Sequence, residues 1–215
     1  MKIAQHIWVL AALPAAVVRF TPVYQVLSRD VMRLWGKQGR MPITLFLNRF
    51  MRVKSFRNIV YYRLGSHSMA LKILAGLLGL VYRPYNHLLI ICKDIGPGLF
   101  IQHGFSTIIA AKHIGKNFWV NQNVTIGHNG PGLEPFIGDD VMVRTGAVVV
   151  GDICIGDNVI IGANAVVTKD VPSNTTVAGV PAKVIKNSGT REFFNAMKNS
   201  RLGIPANQSK DATKE

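Results

Sequence analysis

The sequence predicts a mainly β protein, a parallel β-helix of about four coils behind an α-helical amino-terminal module. Three observations carry this. An aliphatic residue returns at every sixth position through residues 95–172. Basic residues crowd into residues 1–93 and are balanced by acids after them. Apolar residues within that first part recur at helical spacing.

The six-residue ladder runs Ile95, Ile101, Ile114, Val120, Ile126, Ile137, Val143, Val149, Ile155, Ile161 and Val167. A helix would return its apolar positions at three and four, and a strand at two. A hexapeptide period is the mark of a β-helix, in which each hexad is one short strand and a corner. The aliphatic residue points to the axis, and the small or polar residue after it allows the bend. Twelve hexads at three per coil give about four coils, a column of roughly 19 Å at ~4.8 Å per coil. The ladder breaks twice. Ile101 to Ile114 is thirteen residues instead of twelve, and Ile126 to Ile137 is eleven instead of six.

Residues 1–93 hold fourteen Lys and Arg against one acid, Asp30, whereas residues 94–186 hold six basic residues and seven acids. Charge and period both place a boundary near Asp94. The expected division is therefore a basic helical module at 1–93, a β-helix at 94–186 and a polar tail at 187–215. A module of this charge meets nucleic acid, anionic lipid or acidic polymer. No helix-turn-helix, zinc-finger or RNA-recognition signature is present, which argues against nucleic acid. Its apolar content favours peripheral contact with a membrane surface.

The first apolar stretch, "IWVLAALPAAVV" (Ile7–Val18), is short for a bilayer span and is interrupted by Pro14. It is either a helix packed on its own domain or an in-plane anchor. In "FRNIVYYRL", Phe56, Ile59, Val60 and Leu64 share one helical face, with Arg57 and Arg63 displaced from it. "MALKILAGLLGLVY" (Met69–Tyr82) reads as a buried or interfacial helix. The tail suggests one helix at 190–199 and then disorder. Cys92 and Cys154 have no spacing for a disulfide framework or a zinc site. Cys154 reads as a small core or corner residue, and a reduced, cytoplasmic protein fits.

"IGPGLFIQHG", "VTIGHNGPG", "IGANAVVTKDVP" and "VAGVPAKVI" resemble the hexapeptide-repeat acyltransferases, above all the serine acetyltransferase branch, over about residues 55–186. The resemblance implies a left-handed β-helix, a homotrimer or hexamer, and acetyl-CoA bound between neighbouring columns. It also implies cytoplasmic work, since a cleaved and exported chain would lose acetyl-CoA.

Moving acetyl from a thioester to a hydroxyl needs a base for the alcohol proton, and histidine suits neutral pH. His103 lies where the ladder slips by one residue, and a slip re-aims a side chain. By resemblance it falls on the family's catalytic histidine. His128 opens the inserted loop "GHNGPGLEP" and is the alternative base or a substrate contact. His113, before the inward Ile114, is expected to face outward. Neither cysteine is placed as a nucleophile, so attack would be direct.

By the same resemblance, Thr145, Ala163, Thr168 and Lys169 would line the pantetheine arm and pyrophosphate, and Lys183 and Lys186 the adenosine phosphate. Charge supports the lysines, because three of the six basic residues of 94–186 fall within 169–186. No metal is expected. Zinc enzymes of this fold need two histidines five apart, and no pair here has that spacing.

The sequence departs from serine acetyltransferases in three places. Leu88 stands where they place an acid, Glu134 where a histidine precedes Pro135, and the chain ends in Glu215, not isoleucine. These departures suggest a sugar hydroxyl of a capsule, exopolysaccharide or O-antigen precursor as acceptor, at the inner face of the membrane. The alternatives are free serine as acceptor and a non-catalytic β-helix scaffold.

Overall fold

The computed structural model describes residues 15–32, 39–130 and 132–190. Most of Ile7–Val18 and almost all of the expected 190–199 helix lie outside the described residues.

The amino-terminal part is helical. After a 3-10 turn at Val17–Phe20 come α1 (Val23–Met32), α2 (Ile43–Arg52), α3 (Lys54–His67) and α4 (Met69–Val81). Apolar residues three and four apart bury one side of each, as with Tyr24, Leu27 and Val31 on α1 and Phe46 and Phe50 on α2. Aromatic rings join the helices: Phe46 meets Tyr24 at 5.5 Å and Phe56 at 5.9 Å, and Phe50 meets Tyr82 at 5.2 Å. Edge-on contacts of this kind add to plain burial. One expectation changes here. Arg63 is not displaced from the buried face of α3 but lies in it, because Asp30 of α1 supplies the compensating charge.

The rest is a parallel β-helix. A five-stranded sheet stacks β1 (Leu88–Ile90), β3 (Thr107–Ile109), β6 (Thr125–Gly127), β9 (Val148–Val150) and β12 (Val166–Val167). A second sheet stacks β4 (His113–Ile114), β7 (Phe136–Ile137) and β10 (Cys154–Ile155). The third stacks β2 (Phe100–Ile101), β5 (Trp119–Val120), β8 (Met142–Val143), β11 (Ile160–Ile161) and β13 (Thr176–Ala178), and ends in β14 (Lys183–Lys186). Only β14 runs antiparallel among these described strands. Five strands on one face make about five turns. The extra turn comes from β1, which precedes the ladder and pairs with β3.

All eleven ladder residues are buried, none more than 4 % exposed. They stack by type of face: Ile101, Val120, Val143 and Ile161 share one register, and Ile114, Ile137 and Ile155 another. Cys154, expected in the core or a corner, is instead exposed, since its neighbour Ile155 takes the inward place. The glycine after the inward Ile114 has a physical reason. A Cβ on Gly115 would stand 2.6 Å from the Gly138 carbonyl carbon of the next coil, so close stacking at this corner admits no side chain.

Candidate active site

One corner of the column gathers several of the expected site residues. Between the six-stranded and five-stranded sheets, Gln102 N–H donates to Val120 O, Asn121 to Val143 O, Arg144 to Ile161 O and Gly162 to Val177 O. The residues that follow, His103, Gln122, Thr145 and Ala163, therefore occupy the same corner in successive coils. At ~4.8 Å per coil the row spans about 14 Å from His103 to Ala163.

His103 heads this row at the slip in the ladder. Its φ is 67° and that of Gly104 is 71°, and Gly104 N–H donates to Gln102 O at 2.9 Å. Two successive left-handed residues make a tight protrusion that turns the imidazole outward, where it is exposed. The slip is resolved asymmetrically. Ile109 is the inward residue, paired with Ile126, eight residues after Ile101 and five before Ile114. The added residues thus all sit around His103.

Behind the protrusion the wall is apolar. A Cβ on Gly104 would meet Ile101 Cγ2 at 2.7 Å, Leu88 Cδ2 at 3.3 Å and Ser55 Cβ at 3.4 Å. Leu88 is buried at 5 % exposure and faces this wall. No carboxylate bonds His103 among the described residues. The histidine that does hold a carboxylate is His113. Its Nδ1 lies 2.7 Å from Asp94 Oδ2, and its ring stacks on Phe136 at 4.7 Å. It faces outward on the three-stranded sheet, as its place before Ile114 predicts.

His128 follows β6 and begins the loop to β7, so it lies beyond the far end of the five-stranded sheet from His103. Five residues, a turn at Asn123 and then β6, separate it from Gln122, a span of up to roughly 20 Å. The structure does not bring His103 and His128 together within one chain. The loop exit is fixed beside His113, where Lys112 N–H donates to Pro135 O at 3.0 Å.

Thr145 Oγ1 donates to Gln122 O at 3.1 Å, which spends its hydroxyl proton inside the corner. Ala163 is exposed and small, and Gly162 and Gly179 beside it add no side chains. Thr168 and Lys169 are exposed at the other end of the sheet, after β12. Lys183 and Lys186 are exposed on β14, opposite Ala178 and Thr176. Thr145 and Ala163 are thus grouped with His103, while Lys183 and Lys186 form a separate cationic edge and Thr168 and Lys169 a third position. A corner that loses side-chain bulk along its length and lies near exposed lysines suits a thin polar arm ending in phosphates.

The same corner holds groups that the sequence did not single out. Asn121 Oδ1 and Gln122 Oε1 are buried without a hydrogen-bond partner among the described residues. Burial lowers the basicity of Arg144, next to Thr145. A period search marks only the inward residue of each hexad, so such corner groups carry no signal in it. Burial pushes the Cys92 thiol up, which keeps it protonated and unreactive. No three His, Cys, Asp or Glu side chains gather as a metal cluster among the described residues.

Comparison with known proteins matches residues 134–169 to the family "Bacterial transferase hexapeptide (six repeats)". Fold and repeats together define a β-helix built from hexapeptide repeats. Within that class the chain is similar to serine acetyltransferases. It is 43 % identical over 103 residues to the enzyme of Bacillus pumilus, covering 45 % of this chain and 46 % of that protein. With the enzyme of Staphylococcus aureus strain Mu50 the identity is 46 % over 103 residues, covering 45 % and 47 %. The chain thus spans about half the length of these relatives. The crystal structure of serine acetyltransferase from Brucella abortus strain S19 superposes with a TM-score of 0.61 at 28 % identity, covering 80 % of this chain and 71 % of that one. The Neisseria gonorrhoeae enzyme in complex with serine gives a TM-score of 0.55 at 27 % identity, covering 79 % and 71 %.

Proposed function

We propose that the chain transfers an acetyl group from acetyl-CoA to a hydroxyl. The observation that carries this is His103, held outward by two left-handed residues at the head of a corner that thins toward exposed lysines. His103 would take the alcohol proton as the oxygen attacks the thioester carbonyl. The C–S bond then breaks, the acetyl ester forms and the thiolate of CoA leaves, to be protonated by the imidazolium. Thr145 and Ala163 would flank the pantetheine arm, with Thr168, Lys169, Lys183 and Lys186 toward the phosphates. Since His103 and His128 lie apart in one chain, a neighbouring column in a trimer would complete the site.

The named relatives support free L-serine as the acceptor over the glycan hydroxyl suggested by the sequence departures. The glycan reading keeps one specific support. Leu88 presents an apolar wall behind His103 where serine acetyltransferases place an acid, so the usual partner of the base is missing. Location in the cytoplasm, at the inner face of the membrane, accords with either acceptor.

The test is an acetyl-CoA consumption assay with L-serine beside a panel of sugars. Turnover with serine alone supports the amino-acid reading, and turnover with a sugar alone the glycan one. A thermal shift with acetyl-CoA separates both from a scaffold, since ligand at 100 times its Kd adds about 2.7 kcal/mol.

A further inference from the structure

The face of α4 turned away from the protein is a continuous apolar surface. Only Ala75 and Leu78 of this helix are buried, with Tyr82 just beyond it. Met69, Ile73, Leu77, Leu80 and Val81 are 70, 60, 59, 78 and 69 % exposed. At 100° per residue these five fall within an arc of ~120°. Gly76 lies just outside this arc, by about 20°, and a Cβ there would meet nothing within 4 Å. Isolated exposed aliphatic residues need no explanation, but five on one helical face mark a docking surface.

Charge decides what docks there. Lys72 flanks the arc, His67 precedes the helix and Arg83 follows it, all exposed. Between Asp30 and Asp94 the sequence contains no acid at all. Asp30 itself is buried against Arg63. Pairing this face with the same face of a second copy would set cation against cation around an apolar seam. An anionic bilayer instead offers acyl chains to the seam and phosphates to its rim. The helix is thirteen residues long, about 20 Å, too short to cross a hydrocarbon core of ~30 Å. No helix among the described residues is long and apolar enough to cross a membrane. An apolar helix of this length with cations at its margin lies in the interface plane.

We propose that α4 docks the protein on an anionic phospholipid bilayer. Met69, Ile73, Leu77, Leu80 and Val81 enter the acyl boundary, while Lys72 and Arg83 meet the headgroup phosphates. This gives the membrane placement above its element and is independent of the acetyl-transfer chemistry.

The test is co-sedimentation of the full chain with vesicles of phosphatidylglycerol and phosphatidylethanolamine, against phosphatidylcholine alone. Binding to the anionic vesicles that falls in high salt is expected. Ile73→Glu with Leu77→Glu should cut it at least tenfold, and Lys72→Gln with Arg83→Gln should weaken it and flatten its salt dependence. These exposed positions should leave the thermal midpoint and acetyl-CoA consumption unchanged, so failure here is distinct from failure of the catalytic reading. As a second measure, an environment-sensitive dye on Leu77→Cys, in a Cys154→Ser background, should shift to the blue with anionic vesicles. A dye at Lys116→Cys on the column should not. Absence of vesicle binding, or binding unaltered by the glutamates, overturns the proposal. So does a change in oligomer size of the glutamate variant without lipid, which would show that copies of the chain cover this face.

Discussion

The Asp30 carboxylate is held between Arg63 of α3 and the backbone of the first coil. Arg63 Nε and Nη2 each donate to it at 3.1 Å, and the Gly98 and Leu99 N–H groups donate at 2.7 and 2.8 Å. Arg63 also donates to the carbonyls of Ile95 and Gly96. The one acid of the amino-terminal module thus fastens two helices to the column that carries His103. Arg63→Met would leave a buried charge without its partner, and we expect a loss of about 3–5 kcal/mol in urea unfolding. Replacing both residues by apolar ones should cost less than the sum of the single changes.

His103→Ala should lower turnover by about 10² to 10⁴, the usual worth of a positioned base, with little change in CoA affinity. Steady-state kinetics beside CoA titration calorimetry reads both quantities. If His128→Ala has this effect while His103→Ala remains active, the roles are exchanged.

Lys183→Ala with Lys186→Ala should raise KM for acetyl-CoA roughly tenfold and leave kcat nearly unchanged. Tenfold is ~1.4 kcal/mol, near the low end for hydrogen bonds to charged groups. The effect should shrink as salt rises. A fall in kcat at unchanged KM would place these lysines outside the CoA site.

Gly115→Ala would push a methyl into the backbone of the next coil at 2.6 Å. A loss of about 1–3 kcal/mol follows, as for other overpacked sites. The same change at Gly76, where a Cβ meets nothing, should be neutral or stabilising by thermal melting.

Cys92 should resist a thiol reagent at neutral pH in the native protein and react after denaturation. It is 3 % exposed, burial raises its pKa, and its Sγ lies 3.2 Å from Asp94 O. Rapid native labelling of Cys92 would contradict this packing.

The column was legible because a β-helix repeats one physical requirement. Each rung must turn an aliphatic residue inward, so Ile95 through Val167 could be assigned from spacing alone. The slip at His103 was visible for the same reason, though not its form. Spacing counts one extra residue, and the structure shows two added before Ile109 and one removed after it. What spacing cannot carry is pairing across distant segments. Arg63 looked displaced from its helix face because its partner Asp30 lies 33 residues away. His113 gave no hint of Asp94, nor Asn121 and Gln122 of their buried amide oxygens, since none of these positions belongs to the inward ladder.

A stack of similar rungs has no inherent end, and each terminal strand offers unpaired backbone to any passing strand. Here each end carries a structure that breaks the repeat. Helices are fastened to the first coil through Asp30 and Arg63, and β14 folds back antiparallel beside β13, with Lys183 paired to Ala178 and Lys186 to Thr176. The direction matters. A reversed strand breaks the parallel repeat, and its two lysines make the outer edge unattractive to another column. The hairpin therefore acts as a terminator, and without it the same regularity that builds the column would favour end-to-end fibres.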